Sequence, residues 1–297
     1  MSEAQNRSVL VVGATGQQGG ATAAQLLKRG WRVRAITRSA TGDAAKRLAE
    51  AGAELVEGDM DDRALLVAAM RDVSGVFSVQ PTFITPELSP DVSHDDEVRW
   101  GKNVADAAKA AGVRHLVYAS SINADRHSGM PTLENKREIE QHIRALGIAA
   151  TMLRPVSFME NYAAGMPGQS AIGGELTTAI KADVSQPLIA VADIGVFAAL
   201  AFENPDEYVG RALEIAGDSL TPPQIAAALS RATGRSIRHV EMPLEPLREQ
   251  NPRLYRAYTW LNEQDLGVDI PALRRLHPDL MTFETWLATR GRALLGA

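Results

Sequence analysis

The run Val9-Leu10-Val11-Val12-Gly13-Ala14-Thr15-Gly16-Gln17-Gln18-Gly19 constrains the fold of this chain more than any other stretch. A β-branched apolar segment runs straight into glycines spaced Gly-x-x-Gly-x-x-Gly, and a helix-forming segment from Ala21 to Arg29 follows. A buried parallel strand ending at Gly13, a tight turn that excludes Cβ atoms and a helix N-terminus with free N–H groups together make a cradle for a pyrophosphate. The position between a strand and a helix separates this pattern from a glycine-rich turn that holds no ligand.

The same grammar repeats through the first half. Apolar strands read at Val9–Val12, Arg32–Thr37, Glu54–Glu57, Gly75–Val79, His115–Ala119 and Ala149–Leu153. Helical patterns lie between them at Ala21–Lys28, Asp43–Glu50, Asp62–Met70, Glu97–Ala110 and Leu133–Leu146. Gly112 and Gly147 stand just past two of these helices, where a left-handed residue ends the last turn. Such alternation implies right-handed crossovers and a parallel sheet covered on both faces. The expected fold is α/β, a doubly wound parallel sheet with a smaller C-terminal α+β portion on the substrate side. The glycine turn at the first crossover favours it over an eight-fold barrel.

After Arg154-Pro155 the rhythm changes. Ser157 to Gln186 is richer in Gly, Pro and Met and reads as loops with short elements. Val191-Ala-Asp-Ile-Gly195 opens another helix with Asp193 placed as its N-cap. Ala212–Ile215 reads as a short strand, and Thr221-Pro222-Pro223 starts a helix running through Arg231. The expected division is a nucleotide-binding domain over residues 1–156, its sheet completed by about 188–216, and a smaller domain over 157–187 and 217–297.

Composition excludes several classes. The 297 residues suffice for a sizeable core, and 45% apolar with 23% charged residues is ordinary for a globular protein. A net charge of −5 without a basic block leaves no electrostatic footprint for nucleic acid. The absence of cysteine removes disulfides, thiolate catalysis and cysteine-ligated metal. Met1 to Arg7 is polar and too short for a signal peptide, and Asp193 and Glu203 break the apolar stretch around Val191 to Phe202. The expectation is a cytoplasmic protein without a membrane span.

Where the second strand ends, Arg38 and Ser39 replace the acid that accepts from the ribose 2′-hydroxyl in NAD sites. A guanidinium suits the 2′-phosphate of NADP through paired charge-assisted hydrogen bonds, each worth roughly 1.5–3 kcal/mol. Ser39 can add a hydroxyl. NADP(H) is the expected cofactor and NAD(H) the alternative; Arg38 also reads as a solvated loop residue partly neutralised by Asp43. Asp59 and Met60 can accept from the adenine amine and pack on its ring, or Asp59 caps the helix that begins near Asp62. Phe77, Gln80 and Pro81 end the fourth strand, and Ser120 and Ser121 end the fifth, on the carboxyl edge that faces such a cofactor.

Four stretches, Gly13-Ala-Thr-Gly-Gln-Gln-Gly19, Gly58-Asp-Met-Asp-Asp62, Tyr118-Ala-Ser-Ser121 and Leu153-Arg-Pro-Val-Ser-Phe-Met-Glu-Asn161, occur in an order and spacing that resembles the NmrA-like family of atypical short-chain dehydrogenases/reductases. The resemblance continues through Asp193-Ile-Gly195, Ala216-Gly-Asp218 and Thr282-Phe-Glu-Thr-Trp-Leu287. It implies a Rossmann domain with a small C-terminal substrate-side domain and NADP(H) or NAD(H) as ligand. It also implies one of two roles, a redox-sensing regulator acting through protein partners or an NADPH-dependent reductase of quinones and similar acceptors. The nicotinamide would lie near Pro155 and Phe158, with Phe158 stacking on the ring or packing in the core. Asn161 and Tyr162 would line the substrate opening.

The superfamily's usual catalytic pair is Tyr-x-x-x-Lys on a helix. One turn of spacing puts phenol and ammonium on one face, where the lysine lowers the tyrosine pKa and holds the nicotinamide ribose. Here the helix reads Thr132-Leu-Glu-Asn-Lys136, so the lysine is present and threonine stands for the tyrosine. An alcohol is too weak an acid near neutral pH, and a general-acid contribution of ~10²–10⁴-fold is missing. In the first reading Lys136 binds the ribose and nucleotide occupancy changes shape or partners without efficient chemistry, as in a redox sensor. In the second, hydride passes to a conjugated acceptor such as a quinone, whose reduced anion is already stabilised. Lys136 or water then suffices for the proton, and Tyr162 is the one nearby phenol able to stand in as donor. Read without the family, Lys136 is a surface lysine pairing with Glu140 one turn on.

The histidines, His94, His115, His127, His142, His239 and His277, show no metal-ligand spacing, so no metal is expected, and His115 reads as structural within its strand. No Gly-x-Ser-x-Gly elbow supports serine hydrolysis. Pro223 to Ile237 faintly resembles a helix-turn-helix, yet Arg235 to Pro243 reads as a strand and the overall charge is acidic. The expected partners are a small-molecule acceptor or a regulatory protein, with no direct nucleic acid and no membrane, in a monomer or homodimer. The alanine-rich face of Glu97–Ala110 fits a second subunit or the sheet equally well.

Overall fold

The computed structural model describes residues 7–82, 89, 91–163, 166, 168–169 and 171–295. Segment 1–6, most of the polar stretch that precedes the first strand, lies outside the described residues, as do 164, 165, 167 and 170 of the loop-rich stretch. The chain divides into two compact units, residues 1–154 with 194–214, and residues 155–193 with 215–297.

The first unit alternates strands and helices: β1 (Ser8–Val12), α1 (Gln17–Lys28), β2 (Arg32–Thr37), α2 (Asp43–Glu50), β3 (Glu54–Glu57), α3 (Arg63–Ala69), β4 (Gly75–Ser78), α4 (His94–Ala110), β5 (His115–Ala119), α5 (Pro131–Leu146) and β6 (Ala150–Pro155). Together with the strand Ala212–Ile215 they form a seven-stranded sheet. From one edge its order is Ala212–Ile215, β6, β5, β4, β1, β2, β3. The pairings of β1 with β2 and β4, of β2 with β3, and of β5 with β4 and β6 are parallel. Val9 to Val12 are completely buried, which explains why β1 reads as a continuous apolar run with no alternation. Leu10, Val12, Leu66, Val76, Leu116, Tyr118, Ile139 and Ile143 belong to one core cluster. The chain winds outward from β1 through β2 to β3, then returns to β4 on the other side of β1. That reversal opens a crevice at the carboxyl ends of β1 and β4, where doubly wound sheets hold their ligands.

Several boundaries move from the sequence expectation, for local reasons. Helix α1 starts at Gln17, because Gln17 to Gly20 carries no apolar periodicity yet continues the helical backbone from the glycine turn. Helix α4 starts at His94, where Ser93 and Asp96 form a reciprocal capping box.

The second unit holds two small sheets. One orders Asp218–Leu220, Gln186–Ile189 and Ser157–Phe158; the other orders Arg238–Glu241, Glu175–Thr178 and Ala171–Ile172. Its core gathers Met159, Tyr162, Leu176, Leu188, Phe283 and Trp286, with the Phe283 and Trp286 rings stacked at 5.6 Å. The helix Pro222–Thr233 starts on the N-cap Thr221 and ends at the left-handed Gly234. It is followed by the strand Arg238–Glu241, parallel to Glu175–Thr178, so residues 223–237 are helix and strand connection and no helix-turn-helix. One expectation is corrected here. Asp193 is not an N-cap: α6 (Val191–Glu203) already begins at Val191, whose N–H is accepted by Glu160 Oε2 at 3.1 Å. The Asp193 carboxylate instead takes His277 Nε2 (2.9 Å) and the Met281 N–H (3.0 Å). Among the described residues no helix is long and apolar enough to cross a membrane.

Candidate functional site

The glycine turn is as tight as its spacing predicts at Gly13 and Gly19. Gly13 has φ +75°, and a Cβ there would meet Val79 O at 2.6 Å. A Cβ on Gly19 would fall 2.2 Å from Gly13 O, so helix and strand pack too closely for any side chain. Gly16 differs: a Cβ there would meet nothing nearer than Gly13 O at 3.4 Å, so packing within the protein does not demand glycine. Gly16 is the N-cap of α1 in extended conformation. It offers no side-chain cap, and the first turn contains no acid. Thr15, Gly16 and Gln17 are exposed. The helix end is thus a positive dipole terminus with free N–H groups, open to an anion.

Two amide oxygens near the β1 and β4 ends have no partner among the described residues. Gln18 Oε1 in the first turn of α1 and Gln80 Oε1 just past β4 are both buried and unsatisfied. Gln80 donates through Nε2 to Ser78 Oγ at 2.8 Å, which fixes its amide with the oxygen unused. A buried acceptor left without a donor costs about 1–3 kcal/mol, and donors on a ligand, such as hydroxyl or carboxamide groups, would relieve it. Thr15, Gly16, Gln17 and Gln18 therefore fit a polar, anionic ligand, while Gly13 and Gly19 serve the turn itself. Phe77 is corrected: it is wholly buried in β4, a core residue that no ligand can touch without rearrangement. Pro81, one residue past Gln80, is exposed.

At the end of β2, Arg38 is exposed and has no ion-pair partner among the described residues, Asp43 included. Thr37 Oγ1 accepts from the Ser39 N–H (3.2 Å) and donates to Ser39 O (3.0 Å), folding the loop back on itself. Ser39 Oγ lies 3.1 Å from Thr41 Oγ1. A residue absent from the sequence reading enters here: Glu57 Oε2 accepts from the Ala40 N–H at 2.9 Å. After β3, Asp59 is exposed and its Oδ1 accepts from the Asp61 N–H at 2.8 Å, closing a turn. It does not cap α3; Asp62 does, accepting from Leu65 N. Met60 is half-buried against the core cluster, and its carbonyl accepts from Asn103 Nδ2 at 3.1 Å.

At the end of β5 the structure separates two acids. Lys136 is 6% exposed and is no surface lysine. Its Nζ lies 2.8 Å from Glu97 Oε1 and donates to Ala119 O at 3.4 Å. Glu97 is completely buried, and its carboxylate also accepts from Thr82 Oγ1 (2.8 Å) and Asn135 Nδ2 (3.1 Å). Glu140, the partner expected one turn on, is taken by Arg154 in a two-pronged contact (2.9 and 2.7 Å) and by Ser120 Oγ (2.6 Å). Ser120 is buried and spends its only O–H on Glu140, which leaves a ligand at most its lone pairs. Burial holds the Tyr118 phenol well above its usual pKa, with the Glu97 and Glu140 charges adding to it, so Tyr118 is no acid. Thr132 lies half-buried in the first turn of α5, one turn before Lys136.

Of the residues assigned to the nicotinamide side, Pro155, Phe158, Asn161 and Tyr162 belong to the second unit. Phe158 is half-buried and stands outside that unit's core cluster, in a two-residue strand paired with Ile189. Pro155 is buried at the end of β6. Asn161 Nδ2 donates to Ser157 Oγ at 3.5 Å. Tyr162 is corrected. It is a core residue, 6% exposed, with its ring 5.2 Å from Phe283, and desolvation lifts its phenol well above the ordinary pKa. A proton donor near neutral pH needs the opposite. Among the described residues no group of three or more acids and histidines is placed to hold a metal ion.

This geometry has close counterparts. The profile of the NmrA-like family matches residues 5–287. A (4-alkanoyl-5-oxo-2,5-dihydrofuran-3-yl)methyl phosphate reductase from Streptomyces griseus is 33% identical over 244 residues, covering 81% of this chain and 79% of the relative. Among solved structures, the negative transcriptional regulator NmrA in complex with NADP superposes with TM-score 0.79 at 21% identity, covering 96% of this chain and 95% of that one. The same regulator is known with NAD. An NADPH-dependent quinone oxidoreductase from Escherichia coli, complexed with NADPH, gives TM-score 0.77 at 24% identity over 94% and 98% of the two chains. The glycine turn, the seven-stranded sheet and the family profile over nearly the whole sequence agree: this chain belongs to the NmrA-like family.

Proposed function

We propose that the first unit binds a nicotinamide adenine dinucleotide and that the chain is a reductase of conjugated acceptors. The observation that carries the reading is the first turn of α1, an exposed glycine-lined helix end with no cap and no acid, beside two orphaned amide oxygens. The pyrophosphate would be held by the N–H groups at Gln17 and Gln18, since that of Gly16 donates to Gly13 O within the turn, the adenosine end by Arg38, Ser39, Asp59 and Met60, and the nicotinamide ribose by Lys136. When bound, the dinucleotide supplies a hydride. Glu97 fixes Lys136 so that its ammonium stays in place and, with Glu97 and Ala119 O each taking one N–H, keeps one donor for a hydroxyl. Thr132 offers no acidic hydroxyl, so the best acceptor is one whose reduced form spreads its charge over a delocalised oxyanion, such as a quinone or an unsaturated carbonyl. The reductase relative from Streptomyces supports this class, since its named substrate carries alkanoyl and oxo groups on a dihydrofuran ring. Arg38 favours NADP(H), with NAD(H) as the alternative.

The second reading, a redox-sensing regulator that binds the same nucleotide without turnover, draws on Thr132 and on the burial of Tyr162. One experiment separates the two. The protein is mixed with NADPH or NADH and a panel of quinones, enals and unsaturated lactones, and absorbance at 340 nm is followed. Acceptor-dependent loss of absorbance, reduced at least tenfold in Lys136→Met, supports the reductase. No loss with any acceptor, together with unequal affinity for oxidised and reduced dinucleotide, supports the sensor.

A further inference from the structure

We propose that Glu57 sets the balance between the two dinucleotides by holding a negative charge where a 2′-phosphate would have to sit. The inference rests on the dinucleotide reading above and refines it at the adenosine end. The β2–β3 register pairs Thr37 with Glu57, which puts the carboxylate beside the last residue before Arg38. From there Oε2 reaches the loop after β2 and accepts from the Ala40 N–H at 2.9 Å. Thr37 Oγ1 holds the same loop through both backbone groups of Ser39, so the carboxylate meets a fixed turn.

Two opposite charges thus meet at the loop, Arg38 within it and Glu57 reaching it from the end of β3, and among the described residues these two form no ion pair. They act on a ligand in opposite directions. A ribose with a free 2′-hydroxyl can donate to the Glu57 carboxylate, as it does to the acid at the end of the second strand in NAD sites. A 2′-phosphate brings about two negative charges next to the carboxylate and finds the Ala40 N–H already occupied. At contact distances in water such repulsion is worth about a tenfold change in affinity, comparable to what one exposed guanidinium gives back. Arg38 alone predicts a clear NADP preference; with Glu57 opposing it, the expected preference shrinks to within a few-fold.

The test measures dissociation constants for NADP⁺ and NAD⁺ by calorimetry in the full-length chain and in Glu57→Gln and Glu57→Ala. Glu57 is exposed and lies in an edge strand, so both variants should fold as the parent does. In Glu57→Ala the charge goes and the Ala40 N–H is freed, and NADP⁺ should bind about tenfold tighter relative to NAD⁺. Glu57→Gln keeps an acceptor for Ala40 and should show a smaller gain. Raising salt to about 0.5 M should narrow the gap between parent and variant, because screening weakens repulsion. An unchanged ratio in Glu57→Ala overturns the role given to Glu57. If the parent chain binds neither dinucleotide, the functional reading beneath it fails instead.

Discussion

Helices α1 and α4 start beyond the ends of two neighbouring parallel strands, β1 and β4, and their first turns are finished in opposite ways. Helix α1 opens on Gly16 with no side-chain cap and no acid in its first turn. Helix α4 opens on Ser93, whose hydroxyl accepts from Asp96 N (3.1 Å) while Asp96 Oδ2 accepts from Ser93 N (2.8 Å), and its first turn contains Asp95, Asp96 and Glu97. Both ends carry the same partial positive charge. In α4 the protein has spent it on its own acids. In α1 the charge is left for something else, at a cost in helix stability of about 1 kcal/mol against a good cap. A helix N-terminus that the sequence does not cap keeps its N–H groups available to an anion.

The largest expected effect lies in α4, with the acid of its first turn that does not serve the helix end. Glu97 is wholly buried and balances Lys136. Glu97→Ala leaves the ammonium buried without a counter-charge, and urea unfolding should show a loss of about 3–5 kcal/mol. Glu97→Gln, which keeps one carbonyl oxygen to accept from the surrounding donors but no charge, should lose less. A loss below about 1 kcal/mol in Glu97→Ala would mean that the pair is solvated and the two first turns are less different than they look. The next effect is in α1. Gly16→Asp supplies the missing cap, and the site has room for a Cβ, so the melting temperature should hold or rise. Dinucleotide affinity should fall about 100-fold, because a carboxylate would take the N–H groups proposed to hold the pyrophosphate. Unchanged affinity would show that the anion binds elsewhere.

How much of this was legible in the sequence depends on the range of the interactions. The glycine turn was, because Gly13, Gly16 and Gly19 act on each other within one turn of chain. The buried charges were half legible. Glu97 lies on the apolar stripe of α4 with Trp100, Gly101, Val104 and Ala108, and Lys136 shares its stripe with Leu133, Glu140 and Ile143. A charge on a buried face must find a partner, so the burial of both residues was there to be read. Which acid takes the lysine was not. That is decided by α4 lying against α5 and by Arg154 arriving on β6 to claim Glu140, neither of which has a local signal. Asp193 failed for a similar reason: its residue type and place suit an N-cap, but Glu160, distant in sequence, serves the helix end. Glu57 was hidden because strand register alone brings it beside the loop after β2.

Smaller effects test whether the two helix ends are independent. Ser93→Ala removes the α4 cap and should cost about 1 kcal/mol in urea unfolding while leaving the dinucleotide dissociation constant unchanged. A shift of more than about threefold in that constant would tie α4 to the site. The last effect is one of pH. The Ser93 hydroxyl, the Ser93 N–H and Arg99 hold the Asp96 carboxyl below its ordinary pKa. A carboxyl depressed in the folded state adds stability that is fully present above its unfolded value near 3.8 and is lost as pH falls through the lower folded value. The Ser93 amide proton should therefore keep its hydrogen-bonded chemical shift down to about pH 4 and move only below it. The Gly16 and Gln17 amides, with no acid to lose, should not follow that titration. If they do, an acid outside the first turn reaches the end of α1, and the open terminus is less open than its own sequence makes it.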